Sequence, residues 1–113
     1  MRYDISKFPV NEEDTQLKDE KGKLTTYRDV FIKALASDMD QNGQPVRGEE
    51  KFKRYDLYLK VKKTQAILED ITPAEADYLE QACLVFPSVV AGQVRDFLRN
   101  PAPAPPLELV GRG

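Results

Sequence analysis

The 113-residue chain contains no histidine and a single cysteine, and none of its apolar runs approaches the length of a membrane span. Without histidine it lacks the commonest general base, metal ligand and triad member. With Cys83 alone it can form no intramolecular disulfide. That cysteine lies in the apolar run Ala82-Cys83-Leu84-Val85-Phe86 with no basic neighbour, which describes a buried small hydrophobe rather than a reactive thiol. A spanning helix needs about 18 or more apolar residues, and no segment qualifies. The opening Met1-Arg2-Tyr3-Asp4 has none of the apolar core of a secretory signal. The expectation is a cytoplasmic protein.

Other catalytic devices are equally scarce. Ser88 in Pro87-Ser88-Val89 is no nucleophile elbow, and no glycine loop could cradle a phosphate. The carboxylate pairs Glu12-Glu13 and Glu69-Asp70 fall in polar segments where they should be solvated. Nothing in the chain calls for a cofactor, and a non-catalytic protein is expected.

What is present is an ordinary globular composition, 41% hydrophobic and 32% charged, sized for one core. The net charge of −2 is unevenly placed. Residues 1–46 carry seven cations and nine anions, residues 47–63 seven and three, and residues 64–113 three and seven. A basic segment therefore sits between two acidic ones.

Local patterns predict an α-rich α+β domain over residues 1–100, in which an N-terminal arm and a short β-hairpin pack on a bundle of about four helices. Tyr3 and Ile5, with Phe8 as a further candidate, are expected to anchor the arm. Residues 15–26 read as a hairpin turning at Asp19-Glu20-Lys21-Gly22. Helix one begins at the cap Thr26, with Asp29 completing a capping box and Tyr27, Val30, Phe31, Ala34 and Leu35 at helical spacing. Helix two occupies residues 49–64, acidic at its start and basic at its end. Helix three has Thr72 as cap, Pro73 in its first turn, Glu75 closing a capping box, and a buried stripe of Ala76, Leu79, Ala82, Cys83 and Phe86. Helix four runs over residues 88–99. The proline-rich tail of residues 101–113 is expected to be disordered, although its polyproline stretch and Leu107-Glu108-Leu109-Val110 could also engage a partner.

Three segments are candidates for binding. Asp38-Met39-Asp40-Gln41-Asn42-Gly43, with Glu49 beyond, satisfies the EF-hand expression, so Asp38, Asp40, Asn42 and Glu49 are candidate calcium ligands. Pro45 argues against it, because loop position eight must supply an N–H to a second loop, and no second loop of this kind exists here. A polar turn is the alternative. The basic helix 49–64 offers Lys51, Lys53, Arg54, Lys60, Lys62 and Lys63 to a nucleic acid. These cations do not all share a face, however, and acidic flanks would repel phosphates.

The third candidate is the same helix read for its apolar residues, which fall on two arcs. Phe52, Tyr55 and Leu59 form one and are expected to serve the core. Leu57, Tyr58 and Val61 form the other, for which the polar hairpin is thin cover. They are expected to stay partly exposed as a partner or homodimer interface.

The segments Thr26 to Leu35, Gly48 to Tyr55 and Ile71-Thr72-Pro73-Ala74-Glu75 resemble parts of small proteins encoded by tailed bacteriophages and prophages. The resemblance spans residues 1–99. It implies no catalytic residue, and it suggests a variable loop before Gly48 and a role such as assembly factor or modulator of a host protein.

Overall fold

In the computed structural model, residues 1–40 and 42–103 are described. The elements run β1 (Tyr3–Asp4), α1 (Tyr27–Ala36), α2 (Glu49–Lys62), β2 (Ile67–Leu68), α3 (Pro73–Ala82), a 3-10 turn (Cys83–Val85) and α4 (Ser88–Arg99). The fold is α-rich α+β. No described helix is long and apolar enough to cross a membrane.

Helix starts follow cap chemistry. Thr26 Oγ1 accepts the N–H of Asp29, whose carboxylate accepts the N–H of Thr26. Thr72 and Glu75 form the same reciprocal pair at α3. Each box satisfies two backbone donors that a helix start would otherwise leave unpaired. Burial pushes the Glu75 carboxyl up, but the Thr72 N–H and Lys60 outweigh it, and the net shift is downward.

The small sheet joins distant parts of the chain. β1 pairs antiparallel with β2, Tyr3 opposite Leu68 and Asp4 opposite Ile67. Met1 and Ile71 exchange two bonds at 3.0 Å, and Ile5 N–H donates to Ala66 O at 2.8 Å. Residues 1–5 are thus strapped along residues 66–71. The segment 15–26 closes as a minimal hairpin, with Lys18 bridged to Leu24. Val10, bridged to Gln16, is fastened to α4 by the side chain of Gln93, which accepts from Val10 N–H and donates to Val10 O.

One hydrophobic cluster unites these pieces. Tyr3, Ile5, Phe31, Val61, Leu68, Ile71, Leu79, Cys83 and Val94 are fully buried within it. Phe97 of α4 stacks on Tyr27 of α1 at 4.0 Å between ring centres, and Tyr3 donates its hydroxyl to Leu98 O at 2.7 Å. Full burial of each large apolar side chain contributes about 1.5–3 kcal/mol.

The chain is still packed after α4. Ala102 N–H donates to Arg2 O at 2.7 Å, and Arg2 donates to Pro103 O. Ordered contacts therefore run three residues past the boundary expected at 100. Leu107, Leu109 and Val110 lie outside the described residues.

Candidate functional site

Helix α2 is turned opposite to expectation. Leu57 is 4% exposed and Val61 0%, whereas Phe52 is 70% and Tyr55 56% exposed. Leu57 and Val61 of the arc assigned to an interface are internal, whereas Phe52 and Tyr55 of the arc assigned to the core face outward, with Leu59 half-buried. The hairpin, with only Leu17 and Leu24 strongly apolar, is not the cover. Leu57 and Val61 instead join the cluster of Phe31, Leu68, Ile71 and Leu79. Of the three predicted interface residues, only Tyr58 retains a partly open side chain.

Arg54 explains why this arc wins. It projects beside Leu57 and Val61 and is only 4% exposed. Its Nη1 donates to Ala34 O in the last turn of α1 at 2.8 Å and to the O of the C-cap Ser37 at 3.3 Å. A cation at a helix C-terminus satisfies orphan acceptors and opposes the dipole. The guanidinium also lies 5.9 Å from the Tyr78 ring centre. Arg28 of α1 does the converse, donating from Nε to Thr64 O and from Nη2 to Lys62 O, both at 2.8 Å. The two helices therefore run antiparallel, each capped by the other's arginine.

Burial removes Arg54 from the six cations proposed for nucleic acid. Lys60 is also engaged, donating to Asp70 O and pairing with Glu75 at 3.3 Å. Lys51, Lys53, Lys62 and Lys63 remain exposed.

Two of these belong to a stripe that pattern reading missed. Lys51, Tyr55, Tyr58 and Lys62 stand at successive helical spacings of four, three and four residues, within one narrow arc at 100° per residue. The Tyr55 and Tyr58 rings stack with centres 6.4 Å apart at 20°. Lys62 Nζ donates to the Tyr58 hydroxyl at 3.0 Å and lies 5.4 Å from that ring's centre. Glu49, Glu50 and Asp56 project from other sides of the helix, leaving the stripe cationic at both ends. The signal lies in the spacing of lysines and tyrosines taken together, since the six cations alone do not share a face.

Beside the stripe lies a groove of about 250 Å³ between α2, the end of α1 and the following loop. Leu35, Ala36 and Val46 give it an apolar lining, with Tyr55 and Tyr58 along one wall. Lys51, Arg54 and Asp38 provide its charged groups.

The EF-hand match has a different structural origin. Asp40 Oδ1 accepts the N–H groups of Asn42 and Gln44, and Asp40 N–H donates to Gln44 O. Asp19 makes the same three bonds with Lys21 and Lys23, and Asn11 with Glu13 and Thr15. In each case the fourth residue has a left-handed φ: Asp14 at 61°, Gly22 at 82° and Gly43 at 76°. A bridge closes each turn: Val10 with Gln16, Lys18 with Leu24, and Met39 with Pro45. This is the pattern of a three-residue hairpin loop, with Asx first and glycine or a tolerant residue in the left-handed position. Asp40 and Gly43 serve that turn, and Glu49 starts α2. Among the described residues no group of three or more His, Cys, Asp or Glu is placed to hold a metal ion, Asp38, Asp40 and Glu49 included.

Cys83 lies inside the core, where burial pushes its thiol up to about 12. No family model, curated protein or solved structure matches the chain.

Proposed function

We propose that this chain is a non-catalytic protein-binding protein that engages its partner through the Lys51–Tyr55–Tyr58–Lys62 stripe and the adjoining groove. The observation that carries the reading is the stacked pair of exposed Tyr55 and half-buried Tyr58 beside an apolar groove of about 250 Å³. Tyrosine is enriched at interface cores because it combines large area with a polar end and has little rotamer entropy to lose. Leu57 and Val61 belong to the core, against which Tyr58 packs. A phage-encoded assembly factor or modulator of a host protein fits this role, on the strength of the resemblance over residues 26–35, 48–55 and 71–75.

The exposed lysines and tyrosines favour a second reading, single-stranded nucleic acid stacked on the rings. The net charge of −2 and the Asp38 carboxylate at the groove weigh against a polyanion. Affinity capture with wild type and Tyr55→Asp, quantified side by side, tests the proposal. A protein enriched by the wild type and lost from the variant, with circular dichroism unchanged, is the expected result. Equal capture by both would refute it. Retention on oligo-dT that falls steeply with salt would point to nucleic acid.

A further inference from the structure

We infer, building on the protein-binding reading, that the partner element seated on this stripe is an acidic amphipathic α-helix from another protein. The stripe spans twelve residues of α2, eleven rises of about 1.5 Å or about 16 Å, and presents only side chains. Both of its ends are cationic, at Lys51 and Lys62. A second copy of the chain is a poor occupant for that reason. Whether two such stripes met parallel or antiparallel, lysine would face lysine, a repulsive arrangement.

The partner must therefore bring carboxylates about 16 Å apart with apolar residues between them. An extended peptide would find no sheet edge here to pair its backbone, because α2 satisfies its own carbonyls and amides. A helix carries its own hydrogen bonds and repeats with the same period. Acidic residues at i and i+11 would meet the lysines, and apolar residues at i+4 and i+7 would lie on the tyrosine rings. One of those apolar side chains would enter the groove against Leu35 and Val46.

Fluorescence anisotropy with the full chain provides the test. One probe is a stapled helical peptide with Glu at i and i+11 and Leu at i+4 and i+7; the other carries Lys in place of both Glu. The Glu peptide should bind and the Lys peptide should not. The double variant Lys51→Glu/Lys62→Glu should reverse that preference, each change being about tenfold or more. Equal binding of a proline-interrupted Glu peptide would overturn the helix while leaving protein binding intact. Absence of binding by the stapled Glu peptide would overturn it too, with the Tyr55→Asp capture then deciding the broader reading. If oligo-dT binds more tightly than the Glu peptide, both inferences fall.

Discussion

Arg28 and Arg54 are exchanged between two antiparallel helices, each donating into the terminal carbonyls of the other's helix. The two are not equivalent. Arg54 is buried with its Nε unpartnered, whereas Arg28 Nη2 bonds at the solvent edge. Replacing Arg54 by Ala leaves Ala34 O with only the Ser37 N–H, strips Ser37 O of its arginine donor and opens space under Tyr78, at a cost of about 2–4 kcal/mol. Arg28→Ala should cost about 1 kcal/mol. Urea unfolding measures both. A stabilised Arg54→Ala would show that desolvating the cation outweighs its bonds.

The orientation of α2 makes a sharp contrast between two apolar residues five positions apart. Leu57→Ala should lower stability by about 2–5 kcal/mol, because it leaves a cavity in the core. Phe52→Ala should change it by no more than about 0.5 kcal/mol, as surface substitutions do. Similar losses from both, in parallel melts, would contradict the arrangement of the two arcs.

The loop after α1 is expected to be a turn and not a calcium site. Asp40→Ala should cost about 1 kcal/mol by releasing two backbone N–H groups. Added calcium should leave the melting temperature and the amide resonances of Gly43 and Glu49 where they were. Movement of those resonances at micromolar calcium would reinstate the site.

The Cys83 thiol should be silent toward a disulfide reagent in the folded protein at pH 8. Its pKa is pushed up to about 12, so the reactive thiolate is scarce, and the sulfur is enclosed. One equivalent should react on unfolding in urea. Rapid labelling under native conditions would mean that the turn between α3 and α4 opens readily.

Local chemistry was legible in the sequence. The Thr26–Asp29 and Thr72–Glu75 boxes, Pro73 in the first turn of α3 and the bounds of α4 depend on residues within one helical turn of each other. The stripe Ala76, Leu79, Ala82 was also readable, because α3 has one strongly apolar face. α2 was ambiguous because its two arcs are comparably apolar, and periodicity names faces without saying which is inside. The decision rests on distant partners: the α1 carbonyls that accept from Arg54, and β2 with Ile71. β2 is two residues long, too short to show a strand period. The tyrosine–lysine stripe needed all four residues to be read together, and the groove beside it is built by tertiary packing.

The three look-alike turns at Asn11, Asp19 and Asp40 have a consequence in time. Each closes over a handful of residues, so its entropic cost is small and it can form within microseconds of chain collapse. The strap between Met1–Ile5 and residues 66–71 closes a loop more than ten times longer, with no local contact to start it. Assembly should therefore run from the turns and capped helices inward, with the arm docking last. Until it docks, Leu68 and Ile71 lack the cover of Tyr3 and Ile5. In that nearly finished state the chain is most open to proteases and to sticking to its neighbours.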